Sequence, residues 1–294
     1  MTKLGQRSAD RKRQNAKLAR VIDSARCACG EGPHDPGYMA RLLIQATMPH
    51  SKPEGLVHQR SNGKLTIRMV GDPDYGLPYG VYPRLLLIHI TSEVVRHQSA
   101  TVELGSSLSA FLTALGLPRT GGPRGSITQL KEQAERLFRS SVSWTYAPNE
   151  GRLSERFFPI EADLWWRPLD PSDCDVFQAR VRLHARLVEE ILAHPIPLDM
   201  GTVRTLARTG PFALDVYMWL VQRLFYLRGP LDLTWQQLRL QFGCDYSTLK
   251  NFRAAFMRAL KPVLRMYPGA RVAPSPGGLT LWPSPPHIAP HKRF

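Results

Sequence analysis

The sequence predicts a mainly helical α+β chain with small β-hairpins, in which one unit is used twice. Three observations predict it. Short alternating segments stand next to apolar runs of helical period; Asn-Gly and Gly-Gly pairs separate alternating strands; and one order of elements returns about 128 residues after its first appearance. The chain has 294 residues, and its 43% hydrophobic content is ample for real cores.

Residues 27–50 mix Gly and Pro with one apolar patch, "YMARLLIQATM". In "LVHQRSNGKLTIRMV", alternating strands flank an Asn-Gly pair that supplies the positive-φ positions of a tight turn, so it reads as a hairpin. The loop "GDPDYGLPYGVYP" ends in Pro83, which fits a first helical turn because its missing N–H costs nothing there. "RLLLIHITSEVV" then carries a broad helical apolar face.

Val102 and Leu104 alternate around Glu103 as a short strand. Ser106 or Ser107 is the expected cap of a helix carrying Leu108, Phe111, Leu112 and Leu115, and Gly116 its end. After the turn "LPRTGGPRGS", Ser126 is the expected cap of the next helix. Ile127, Leu130, Ala134, Leu137 and Phe138 line one face of it; Thr128, Lys131, Glu132, Glu135, Arg136 and Arg139 line another. "SVSWTYAPNEGRLSERFFPIEADLWW" alternates, turns near Asn149 to Gly151, and alternates again. Next, "CDVFQARVRLHARLVEEIL" combines a strand with a helix, and "AHPIPLDMGTVRTLA" leads into the second copy.

That copy opens with the apolar helix "PFALDVYMWLVQRLFYL". Pro211 stands twenty-two residues before Leu233, as Pro83 stands twenty-one before Leu104. "LDLTWQQLRLQFG" repeats the strand, helix and closing Gly of "VELGSSLSAFLTALG". "DYSTLKNFRAAFMRALKPVL" gives a helix with Leu249, Phe252, Phe256, Leu260 and Val263 inward and Lys250, Asn251, Arg253, Met257, Arg258 and Lys261 outside or at its margins. "ARVAPSPGGLTLWP" supplies two strands around a Gly-Gly turn. Trp144, Trp165, Trp166, Tyr217, Trp219, Phe225, Tyr226, Phe252 and Phe256 recur at helical or strand spacing and are expected in the core or between domains.

A small bundle whose third helix is exposed and followed by a hairpin is the winged form of helix-turn-helix. The expected architecture is therefore tandem winged-helix domains: a basic flexible tail over 1–30, a first domain with a preceding hairpin over 31–172, and a second over 173–294. The formal net charge of +15 favours polyanions, DNA or RNA before acidic proteins or lipid. Part of it is local, since residues 1–26 hold eight basic and two acidic side chains, suited to a phosphate-binding arm.

In the second unit Lys250, Asn251, Arg253, Arg258 and Lys261 are the candidate DNA contacts. Arg offers a fork for guanine O6 and N7, Asn bridges adenine N6 and N7, and Lys suits phosphate. The first unit offers Arg119, Arg124, Lys131, Arg136 and Arg139, but Glu132 and Glu135 dilute its field. The second helix is the expected stronger base reader.

Enzyme signatures are poor. There is no Walker loop, no HExxH, no GxSxG and no dinucleotide fingerprint after a strand. Asp72 and Asp74 suit turn chemistry better than a metal nuclease; Tyr82 and Tyr217 lack the His pair a nicking site needs; and the nine His form no ligand spacing. Cys27, Cys29, Cys174 and Cys244 lack paired zinc knuckles and read as free thiols. Neither a cofactor nor a metal is expected. No run of eighteen apolar residues and no secretory block is present, so the expected setting is cytoplasmic.

The segments "DPDYGLPYGVYPRLLLIHITSEVVRHQS", "VELGSSLSAFLTALGLPRTGGPRGSITQLKEQAERLF", "FALDVYMWLVQRLFYL" and "ARVAPSPGGLTLWPSPPH" resemble, in that order, the plasmid-encoded RepA replication initiator family. The resemblance covers roughly residues 40–290 and leaves the basic tail outside. It implies a non-catalytic initiator that binds repeated double-stranded sites at a plasmid origin, helps open adjacent AT-rich DNA, recruits the host initiator and replicative helicase, and represses its own promoter. It also implies a homodimer in a DNA-free or repressing state, with the first winged unit serving dimerisation in one state and DNA contact in another. By region, the reading helices correspond to residues 126–139 and 245–261. The alternatives are a transcription repressor without initiator activity, a non-enzymatic protein-interaction module and, from another class, a nicking nuclease.

Overall fold

The structure is a computed structural model, and it describes residues 36–45, 47–61, 65–104, 112–113, 116–146, 153–157, 160–165, 178–243 and 246–288. Among these residues it is mixed α+β, with eight helices and four small antiparallel sheets. The basic tail, all four cysteines and most of the helix expected after Ser106 lie outside the described residues.

The first half runs β1 (Pro36–Ala40), α1 (Arg41–Gln45), β2 (Val57–Ser61), β3 (Leu65–Val70), α2 (Tyr82–His97), β4 (Thr101–Glu103), α3 (Ser126–Phe138), β5 (Ser141–Tyr146), β6 (Leu153–Phe157) and β7 (Ile160–Trp165). The second runs β8 (Gln178–Leu183), α4 (Ala185–Ala193), β9 (Pro195–Asp199), α5 (Met200–Ala207), α6 (Pro211–Tyr226), β10 (Leu231–Thr234), α7 (Trp235–Phe242), α8 (Leu249–Met266), β11 (Val272–Pro274) and β12 (Gly278–Leu281). Pro83 and Pro211 both lie in first helical turns, as their missing N–H groups require.

The repeat starts earlier than the sequence suggests. β1 with α1 and β9 with α5 are matching strand-helix pairs, and β1 and β9 pair with each other antiparallel, from Pro36 opposite Asp199 to Ala40 opposite Pro195. Between α1 and α2 the first copy carries the hairpin β2–β3, whereas only Arg208–Gly210 separate α5 from α6.

That extra hairpin changes the first unit. β5 and β6 pair as expected, but β5 also joins β3, with Ile67 opposite Trp144 and Met69 opposite Val142, in the order β2-β3-β5-β6. β4 pairs with β8 in the sheet β4-β8-β7 and does not meet that hairpin. In the second unit the matching strand closes on its own hairpin, giving β10-β12-β11. The two copies share an order of elements and differ in strand pairing.

One core draws on both halves: Leu85, Leu86 and Ile88 of α2, Leu214, Tyr217 and Leu220 of α6, and Phe252 and Phe256 of α8 are all buried. Leu249 is 38% exposed, because it opens α8 immediately after its cap, Thr248. Phe225 and Tyr226 also depart from the expected core placement, at 51% exposed each; Leu224 takes the buried side of that last turn, and the two rings meet edge to face at 5.0 Å.

Gly116 ends its helix as expected, at φ +69°. Its N–H reaches Thr113 O at 2.9 Å and that of Leu117 reaches Leu112 O at 2.8 Å, the paired bonds of a left-handed helix stop. Ser126 is a correction. Gly125 holds the cap position, while the Ser126 hydroxyl donates to Pro118 O and accepts from the Thr120 N–H, so it closes the preceding loop.

At Gly278 a β-carbon would run into the backbone carbonyl of Leu233 on the paired strand β10. Backbone cannot swing aside as a side chain does. Gly278→Ala is expected to lower stability by about 1–3 kcal/mol, read from the thermal midpoint.

Candidate nucleic-acid interface

α8 takes its direction from its apolar spacing. Phe252, Phe256, Ala259, Leu260, Val263 and Met266 fall on one face and are buried, while Phe212 of α6 lies 6.2 Å and 5.9 Å from the rings of Phe252 and Phe256. With that face fixed, Lys250, Asn251, Ala254, Arg258 and Lys261 share the opposite, exposed side. Thr248 caps the helix by accepting from Asn251 N at 3.2 Å.

The preceding helix is held just as firmly. Thr234 and Gln237 form a reciprocal capping box at the start of α7. At its far end Gly243 packs tightly against the Phe252 ring, and Arg239 Nη2 donates to the carbonyls of Tyr246 at 2.9 Å and Ser247 at 3.3 Å. This arginine ties down the turn between the two helices.

Electrostatics single out the same face. From Tyr246 to Phe294 the sequence holds eight Lys and Arg and no Asp or Glu. Among the described residues, the side chains of Lys250, Asn251, Arg258 and Lys261 have no hydrogen-bonding or ionic partner. Exposed cations without internal partners hold their charge for an external anion. The acid-free run is a signal that a count of residues could have found, and whole-chain charge hid it.

α3 is arranged differently. Arg136, expected on the polar face, is a correction: it is 9% exposed, bonded to Glu132 at 2.7 Å and to Leu77 O at 3.4 Å, and set over the Tyr79 ring. The loop Gly71–Gly80 packs on the side of α3 that carries Gln133 and Arg136, with Gln133 Oε1 accepting from Tyr79 N at 2.8 Å. Arg139 is exposed but spends its charge on Glu135 at 2.9 Å and on the Tyr75 ring, 4.4 Å away. Lys131 is exposed on the outer side, and Arg119 and Arg124 are exposed in the loop before the helix.

The residues weighed for catalysis have structural places. Asp72 Oδ1 accepts from the N–H groups of Asp74 at 2.9 Å and Tyr75 at 3.3 Å, a side-chain turn. Tyr217 is fully buried; its hydroxyl accepts from Asp199 N at 3.0 Å and meets His287 Nδ1 at 2.8 Å, and burial pushes its phenol well up. Among the described residues no cluster of His, Cys, Asp and Glu is suited to a metal ion. No described helix is long and apolar enough to cross a membrane.

The family model for the plasmid encoded RepA protein matches residues 77–237, more than half of the chain and ending before α8. Among solved structures the chain is similar to the crystal structure of selenomethionine derivatives of domains 2 and 3 of RctB. The TM-score is 0.53 at 13% identity, over 84% of this chain and 97% of that one, which is a likeness of fold. No curated protein matches.

Proposed function

The chain belongs to the plasmid-encoded RepA family, and from that premise we propose that it is a replication initiator that binds repeated double-stranded sites at its plasmid origin. The observation that carries this reading is the acid-free basic face of α8, held beside the β11–β12 hairpin on a buried aromatic core. The sheet β10-β12-β11 behind α7 and α8 supports a winged helix in the second unit. The repeated order of elements supports a modified one in the first.

In this reading α7 braces α8 against the phosphate backbone and α8 enters the major groove. Asn251 and Arg258 read base edges, while Lys250 and Lys261 meet phosphate. Arg119, Arg124 and Lys131 add a weaker contact from the first unit, while Arg139 is engaged by Glu135 and the Tyr75 ring. Several bound copies bend the origin so that AT-rich DNA costs less to unpair, and host initiator and helicase are recruited to it. The free or repressing form is a homodimer, the setting is cytoplasmic, and the protein supplies binding energy rather than bond chemistry.

Footprinting on the DNA flanking its own gene, at about 150 mM salt with excess competitor, tests this reading. Protection phased over direct repeats is the expected result; uniform weak protection would sink it. A transcription repressor would give the same footprint but would not support replication of a DNA circle lacking its own initiator gene.

A further inference from the structure

We infer that Arg253 is a positioning residue: with Trp235 it holds the turn Ser275–Gly278 at a set offset from α8, and it does not itself carry a phosphate contact. This rests on the proposed reading of α8 as the DNA-facing helix, and it separates two cations of α8 that the sequence makes look alike.

Trp235 opens α7 and is buried. Its indole N–H is shared between the carbonyls of Ser275 at 3.2 Å and Pro276 at 3.1 Å, and its backbone N–H reaches Gly277 O at 3.2 Å. One residue therefore holds three successive carbonyls of the turn. The turn also closes on itself, through Ser275 N to Gly278 O at 2.9 Å and Gly278 N to Ser275 Oγ at 3.1 Å.

Arg253 covers the outer side of this joint. Its guanidinium carbon lies 5.2 Å from the Trp235 ring centroid, and Nη1 donates to Pro276 O at 3.4 Å. At 100° per residue Arg253 stands well round the helix from Arg258 and Asn251, toward the hairpin. A planar guanidinium can lie on an indole and still direct an N–H at a neighbouring carbonyl, which the compact ammonium of lysine does poorly.

The turn has a reason to be positioned by others. Pro274, Ser275, Pro276 and Gly277 offer no cation of their own, and two of the four lack a backbone N–H. Such a turn contributes to a DNA interface through shape, and shape counts only if its distance from α8 is set.

Two measurements test the inference. The first needs no DNA: hydrogen exchange in the peptide covering residues 270–281 is expected to speed up severalfold in Arg253→Ala and to stay unchanged in Lys250→Ala. Unchanged exchange in Arg253→Ala would overturn the inference, whatever the protein binds.

The second uses the footprinted DNA and the salt dependence of affinity, where each neutralised phosphate adds about 0.9 to the slope of log K against log salt. Lys250→Ala is expected to lower the slope by about that much. Arg253→Ala should keep the wild-type slope while affinity falls ~2- to 5-fold, the scale of an exposed cation–π contact. Arg253→Lys, which keeps the charge, should not restore it. A fall in slope for Arg253→Ala equal to that of Lys250→Ala, or full rescue by lysine, overturns the assignment. Absence of salt-dependent specific binding by the wild type would instead sink the reading of α8.

Discussion

Asp215→Ala is expected to destabilise the chain by about 3–5 kcal/mol, measured by urea denaturation, because it removes one partner of a buried charge pair. Arg84 and Asp215 are 1% and 3% exposed, and two parallel bonds of 2.7 Å join them. The other guanidinium N–H groups reach the carbonyls of Met48 and Gly80, at 2.6 Å each. His50 Nε2 meets the second carboxylate oxygen at 2.9 Å. Arg84 stands on α2 and Asp215 on α6, so the pair ties the two halves at their centre. Without the carboxylate a guanidinium stays in the core with carbonyls alone to face it. The double variant Arg84→Met with Asp215→Leu should recover part of the stability, since it removes both charges but leaves the carbonyls of Met48 and Gly80 without their donor. No recovery would place the energy in something other than the ion pair.

The same pair sets an acid limit. Burial alone would raise the Asp215 carboxyl, but the charge and hydrogen bonds of Arg84, with the bond from His50, overcome it and hold the group at about 2. A depressed carboxylate stabilises the fold fully above its ordinary value near 4 and loses that contribution as pH falls through the folded value. Unfolding free energy should therefore drop between about pH 4 and pH 2, and that part of the slope should be missing in Asp215→Asn.

The helices were legible from local signals. Pro83 and Pro211 mark their own helix starts, Gly116 its helix end, and the 3- and 4-residue spacing from Phe252 to Val263 orients α8. What was not legible depends on partners far along the chain. β1 is a five-residue strand whose sequence, "PGYMA", carries no information about pairing with residues 195–199. β4 has three residues and the alternation of any short strand, so its choice of β8 over the following hairpin cannot be read from it. Arg84 looked like a polar residue at the start of an apolar helix; only the fold brings Asp215 to it. On a helical wheel Arg136 stands opposite the apolar face of α3 and Lys131 nearer its margin, yet it is Arg136 that is buried, because a loop some sixty residues upstream covers it. For the site, the basic residues of α8 were legible as a set, but the separate place of Arg253 depends on where Trp235 and the hairpin turn meet it.

Removing the basic face of α8 should cost the most in binding. The triple variant Lys250→Ala, Arg258→Ala, Lys261→Ala is expected to abolish specific binding almost entirely at about 150 mM salt, with the slope of log K against log salt falling by about 1.8, roughly 0.9 for each of the two phosphates that no longer meet a lysine. Arg258→Ala alone should cost about 1–3 kcal/mol and relax specificity at one base pair, as expected for an arginine that reads guanine. Stability should be unchanged, because these side chains are exposed and partnerless among the described residues and their removal exposes no buried group. The matching triple on the first unit, Arg119→Ala, Arg124→Ala, Lys131→Ala, should take a smaller share of affinity and leave base preference intact, since Glu132 and Glu135 lie beside it and Arg136 and Arg139 are already engaged. The comparison depends on the contrast between two helices with the same place in the repeat. Equal effects from the two triples would mean that internal ion pairs do not decide which copy reads DNA, and that both units bind as equals.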